Sequence, residues 1–127
     1  MNSQQMYYEQ EISRNSYSVK AWWNYLYYLE QSHAVSITMK GTGIGTSSSR
    51  SRERFVVYER AVRYLPRSYK LWHAYLNERT DRVAHKPVTS KGHQILVNTF
   101  ERALVHLHKM PRIWFNISHK IHILLWI

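Results

Sequence analysis

The sequence has no cysteine and a single aspartate, Asp81. Without cysteine there is no disulfide framework, no thiolate metal site, no thiol nucleophile and no CxxC redox pair. With only 8 acidic residues, most of them at repeat or linker positions, general acid–base catalysis has few candidates and no Ser–His–Asp arrangement stands out. Glycine (4) and proline (3) are scarce, and three of the glycines fall within Gly41–Gly45. Long apolar runs are missing too: the longest is Ile121–Ile127, interrupted by His122. A bilayer-spanning helix needs about 20 apolar residues, so no membrane partner is expected. Residues 1–10 are polar and show no apolar core of a secretory signal.

What is present is charge of one sign and many aromatic rings. Lys and Arg number 18, for a net charge of +10, and Tyr 10, Trp 5 and Phe 3 make 14 % of the chain. The length suits one domain of the usual roughly 100–150 residues, and 44 % hydrophobic residues supply a core. The positive charge is unevenly placed. Residues 1–31 carry Arg14 and Lys20 against Glu9, Glu11 and Glu30, whereas the chain from Lys40 onward is strongly basic. Such a field favours RNA, DNA or acidic protein surfaces and says nothing of fold.

Three segments superimpose without a gap. Tyr8-Glu9-Gln10-Glu11-Ile12 precedes Ser18-Val19-Lys20-Ala21-Trp22 and Tyr25-Leu26. Tyr58-Glu59-Arg60-Ala61-Val62 precedes Ser68-Tyr69-Lys70-Leu71-Trp72 and Tyr75-Leu76. Phe100-Glu101-Arg102-Ala103-Leu104 precedes Met110-Pro111-Arg112-Ile113-Trp114. In each the aromatic–Glu pair begins 14 residues before the tryptophan, while the offsets between units are 50 and 42. Fixed spacing inside a unit with variable spacing between units is what loop insertions produce.

Each unit reads as two helices. Tyr58, Ala61, Val62 and Leu65 lie at i, i+3, i+4 and i+7, and Phe100, Ala103, Leu104 and Leu107 repeat them. Ala61 and Ala103 let a neighbouring helix approach closely. Pro66 ends one helix, Ser18 and Ser68 cap the next, and Pro111 suits a first helical turn. The expectation is an all-α fold, an α-α superhelix of about five helices, with units at about 6–31, 53–79 and 92–124. The glycines and the run Ser47-Ser48-Ser49-Arg50-Ser51-Arg52 make 33–52 a flexible, disordered linker in this reading. Glu11 in place of the unit's alanine, and Asn15 in place of Leu65 and Leu107, give the first unit a polar outer face like that of a terminal repeat.

An aromatic-Glu-Arg-Ala-aliphatic run, a proline, then a tryptophan with a tyrosine three residues on, resembles the half-a-tetratricopeptide (HAT) repeat of RNA-processing proteins. Within that group the stretches Tyr8–Ile12, Tyr17–Trp22, Ser68–Trp72 and Phe100–Trp114 resemble the SYF-type pre-mRNA-splicing factors, also called XPA-binding proteins. The resemblance covers about residues 6–115. The sequence from Phe115 to Ile127 departs from it, so the chain reads as an N-terminal fragment with an aberrant tail. The resemblance implies a nuclear, non-catalytic scaffold of the spliceosomal nineteen-complex that holds other splicing proteins, with a link to transcription-coupled repair. No cofactor and no small-molecule substrate are implied.

Several local features take blander readings. Gly41-Thr42-Gly43-Ile44-Gly45-Thr46 lacks the Gly-Lys-Ser/Thr ending of a phosphate loop and reads as linker. His119 and His122 share a helical face but have no third ligand nearby, and His106 and His108 point to different faces. Trp22, Trp72 and Trp114 sit at equivalent repeat positions, which argues for packing over base stacking. Together with Tyr8, Glu9, Tyr25, Tyr58, Glu59, Arg60, Ala61, Pro66, Tyr75, Phe100, Glu101, Arg102, Ala103 and Pro111 they form the repeat signature. Tyr7, Trp23, Tyr27, Tyr28, Tyr64 and Tyr69 lie outside that frame and are the candidates for contacting a partner. Two alternatives stand beside the scaffold: an RNA-binding helical-repeat module using the basic surface, and a truncated product without independent function.

Overall fold

A computed structural model describes residues 2–40, 46–87 and 89–107. These residues form five α-helices, with no strand among them: α1 (Ser3–Arg14), α2 (Val19–Lys40), α3 (Thr46–Tyr64), α4 (Tyr69–Val83) and α5 (Lys91–Leu107). None of the described helices is long and apolar enough to cross a membrane. The chain is all-α.

Three of the helices, α1, α2 and α4, start where a short polar side chain answers the first orphan N–H groups. Asn2 Oδ1 accepts from Gln5 N at 2.8 Å to open α1. Ser18 Oγ accepts from Ala21 N at 3.3 Å at the head of α2, and Ser68 Oγ from Leu71 N at 3.4 Å at the head of α4. Asn15–Ser18 and Leu65–Ser68 are therefore the same four-residue connector, at the same place in two repeats. At the second of them α3 closes with Leu65 N donating to Ala61 O, and Pro66, which has no N–H to continue the helix, follows.

The described residues separate into two compact units, dividing between Leu65 and Pro66. In the first, α2 packs against both α1 and α3. Its core is Ile12 from α1, Trp22, Tyr25, Leu26 and Leu29 from α2, and Val57, Tyr58, Ala61 and Val62 from α3. In the second, α4 packs against α5, burying Leu71, Trp72, Tyr75, Leu76 and Val83 against Leu96, Phe100, Ala103 and Leu107. Each fully buried large side chain contributes roughly 1.5–3 kcal/mol of transfer free energy. The division cuts the second sequence repeat, leaving α3 with the first unit and α4 with the second.

One expectation needs correction. Residues 33–52 were to form a disordered linker, but the α2 backbone stays helical to Lys40 and α3 begins at Thr46. Between His33 and Lys40 there is neither glycine nor proline, so nothing in the backbone stops a helix already nucleated at Val19. The glycines are confined to residues 41–45, which lie outside the described residues. Pro111, Trp114 and the tail at 115–127 also lie outside them.

Candidate protein-interaction site

The tryptophans of the first two repeats, Trp22 and Trp72, are each fixed from both sides. Trp22 is fully buried, and its indole Nε1–H donates to the carbonyl of Ser16 at 2.8 Å. Trp72 does the same with the carbonyl of Pro66, again at 2.8 Å and again six residues back. Each indole thus ties its helix to the connector before it, satisfying a carbonyl that the turn leaves open.

The outer face of each tryptophan is covered by the helix that follows in the array. Arg60 of α3 lays its guanidinium carbon 5.4 Å from the Trp22 ring centre, and Arg102 of α5 lies 5.8 Å from that of Trp72. One turn later Tyr64 stacks on Trp22 with centroids 5.9 Å apart, and His106 stacks on Trp72 at 6.3 Å. An arginine and an aromatic ring at i and i+4 therefore close over the preceding tryptophan twice, in the same register.

Arg60 is held in place by Glu9. Its Nη1 and Nη2 donate to the two carboxylate oxygens at 2.8 and 2.9 Å, a bidentate pair linking α3 to α1. The hydrogen bonds from Arg60 hold the Glu9 carboxyl below its ordinary range, against the opposing effect of burial. The Arg60 guanidinium is pushed upward by the same pair. Gln5 Nε2 donates to Glu53 Oε1 at 2.6 Å and reaches the hydroxyl of Tyr25 at 3.4 Å. Burial, above all, raises the Tyr25 hydroxyl to about 12. In the second unit Arg79 Nε donates to the Tyr75 hydroxyl at 2.8 Å and lies over its ring.

The remaining signature residues fall into place around these contacts. Tyr8 is half-buried, stacked between Tyr25 and Tyr28, with centroids 5.9 and 4.8 Å away. Tyr58, Ala61, Tyr75, Phe100 and Ala103 are core, Glu59 and Pro66 are half-buried, and Glu101 and Arg102 are exposed. The two alanines are fully buried.

The six candidate contact residues differ in exposure. Tyr28 is half-buried, stacked on Tyr8, with its hydroxyl donating to Asn2 Oδ1. Tyr64 covers Trp22, and Trp23 and Tyr69 are half-buried, Tyr69 against the His73 ring at 5.2 Å. Tyr7 and Tyr27 stay 55 % and 60 % exposed on the outer side of the α1–α2 pair. With Tyr8, Glu11, Ala21 and Asn24 they line a recess of about 220 Å³. Tyr17, 73 % exposed with its ring edge-on to Tyr64, is not among the six candidates; it sits in the connector where the next repeat has Arg67. Among the described residues no three His, Asp or Glu side chains are placed to hold a metal ion.

Comparison with known proteins settles where this arrangement belongs. The family model described as the pre-mRNA-splicing factor Syf1/CNRKL1 N-terminal HAT repeat matches residues 4–123. The chain belongs to that HAT-repeat family. The match runs beyond the 6–115 read from the sequence and into the tail expected to depart from the family. The chain is 40 % identical over 109 residues to pre-mRNA-splicing factor SYF1 of Dictyostelium discoideum, covering 86 % of this chain and 11 % of that protein. It is 38 % identical over 109 residues to the Homo sapiens SYF1, with coverage of 86 % and 11 %. Against pre-mRNA-splicing factor cwf3 of Schizosaccharomyces pombe the figures are 37 % over 109 residues, 84 % and 12 %. The chain thus spans about a tenth of the length of the curated relatives it matches. In this chain the arginine of the aromatic–Glu–Arg–Ala run supplies the clamp, and the tryptophan of the preceding repeat is what it covers.

Proposed function

We propose that the chain is a non-catalytic scaffold segment that binds other proteins of the splicing machinery in the nucleus. The observation that carries this is membership of the Syf1/CNRKL1 HAT-repeat family, whose relatives at 37–40 % identity bear the name pre-mRNA-splicing factor. The geometry is in keeping with that role. The buried aromatics, the glutamate–arginine pair and the connectors go into holding helices together, and exposed tyrosines are left on an outer face. Tyrosine is among the residues that most often dominate protein–protein contacts. A part in transcription-coupled repair rests on the family resemblance alone.

The RNA-binding alternative draws less support. Three of the basic residues are engaged within the protein: Arg60 with Glu9 and Trp22, Arg79 with Tyr75, and Arg102 over Trp72. Pull-down from nuclear extract with the folded 127-residue chain is the test. Splicing proteins should be enriched, in a manner unaffected by nuclease. Recovery of none by a folded sample overturns the scaffold reading, and nuclease-sensitive recovery favours RNA.

A further inference from the structure

The recess between α1 and α2 has a composition that the other repeats lack. In the repeat frame Tyr7, Glu11 and Ala21 occupy the places of Val57, Ala61 and Leu71, all three of them buried. Ala21 supplies the room, since a leucine there would fill part of the floor. Glu11 supplies a carboxylate where the later units have only a methyl group, and Tyr7 turns a buried aliphatic position into an exposed ring. Tyr8, Tyr27 and the Asn24 side chain complete the walls.

The protein already shows what such a set of groups binds. At Trp22 and Glu9, an aromatic face and a carboxylate receive the guanidinium of Arg60. The recess offers the same pairing, three tyrosine rings beside Glu11, on the outside of the helix pair. Glu11 pairs with Arg14, whose Nη1 donates to Oε1 at 3.0 Å. Both side chains of that i, i+3 pair are solvent-exposed, which makes it worth little. A carboxylate also retains acceptor sites for a second donor. Charge points the same way: residues 1–31 are the one slightly acidic stretch of a chain whose net charge is +10.

We propose that this recess binds the guanidinium of an arginine in a basic peptide segment, stacked on the exposed rings of Tyr7 and Tyr27 and paired with Glu11. Arginine is favoured over lysine because a planar, weakly hydrated guanidinium both stacks on aromatic rings and bridges a carboxylate. The site goes beyond the scaffold role and does not depend on it, because arginine recognition is a property of these six side chains whatever assembly the chain joins.

Fluorescence anisotropy with a labelled peptide of alternating glycine and arginine, titrated with the full chain, tests the proposal. The net positive charge repels any basic peptide, so saturable binding must come from a local site. The alternating glycine–lysine peptide should bind about tenfold more weakly, the scale of one cation–π contact with its carboxylate pairing. Glu11→Gln and Ala21→Leu should each weaken the arginine peptide by a similar factor; the second installs the residue that Leu71 supplies in the next repeat, so folding is preserved. Thermal melts of the variants check that. No binding by the wild-type chain, equal binding by both variants, or equal affinity for the lysine peptide would each overturn the assignment. None of these outcomes bears on recovery of splicing proteins from extract, so the two readings fail separately.

Discussion

Arg60 joins Trp22 to Glu9: its guanidinium carbon lies 5.4 Å from the indole ring centre while its two terminal nitrogens grip the carboxylate at 2.8 and 2.9 Å. The same arginine thus fixes α1 and α2 to α3 at once. Its value comes from combining a charge-assisted bidentate bond with a cation–π contact, at a site where the Glu9 side chain is only 26 % exposed.

Breaking this pair should cost modestly and cooperatively. Arg60→Met and Glu9→Gln are each expected to destabilise the chain by about 1 kcal/mol, discounted for the partial exposure of both groups. In a double-mutant cycle read by urea unfolding, the combined loss should be clearly smaller than the sum. Strict additivity would mean that the two side chains do not interact in solution.

Tryptophan truncation should cost far more. Trp22→Ala and Trp72→Ala remove fully buried rings and the indole bonds to Ser16 and Pro66, for an expected loss of about 3–5 kcal/mol each. Trp72→Phe keeps most of the volume but leaves the Pro66 carbonyl without its donor, so it should fall between wild type and alanine. A phenylalanine variant that melts with the wild type would show the indole bond to be dispensable.

Acid should expose the Glu9–Arg60 pair. A carboxyl held below its ordinary range contributes stability that is present above that range and is lost as pH falls through the folded-state value. Melting temperatures recorded from neutrality downward should therefore drop more steeply for the wild type than for Glu9→Gln. Parallel curves would remove Glu9 from the acid response.

Alkali should act on Tyr25 with the opposite sign. Its hydroxyl is raised to about 12, so the stability tied to the neutral phenol is complete below pH 10 and fades as pH climbs from there toward 12. In Tyr25→Phe that fading should be reduced relative to wild type, as seen by circular dichroism over the same range.

Gly92 is expected to resist even alanine. A Cβ placed there would stand 2.9 Å from Val83 Cγ1, and a buried, β-branched valine has little freedom to yield. Helix propensity favours alanine by up to about 1 kcal/mol, but the clash should outweigh it and lower the melting temperature. Adding Val83→Ala should restore much of the loss if the contact is the cause.

The helices and their buried faces were legible because period and capping agree. Trp22, Tyr25, Leu26 and Leu29 lie on one face behind Ser18, and Trp72, Tyr75 and Leu76 behind Ser68. The course of α2 past His33 was not, since the serine and glycine content of the whole segment outweighed the lack of a breaker before Gly41. Nor was the pairing of Arg60 with Trp22 and Glu9, because the three residues come from three helices and only packing brings them together. The recess was half visible. Glu11 stands out against Ala61 and Ala103, whereas Ala21 against Leu71 passes as one apolar residue for another until the missing volume is seen.

The covering of Trp22 by Arg60 and Tyr64, and of Trp72 by Arg102 and His106, gives the array a direction. Each contact is heterologous: one repeat offers an indole, and its successor brings the cation and ring that close over it. Two such surfaces of the same kind cannot complement one another. Growth of an array by this device therefore runs head to tail, and a repeat inserted backwards would meet indole with indole.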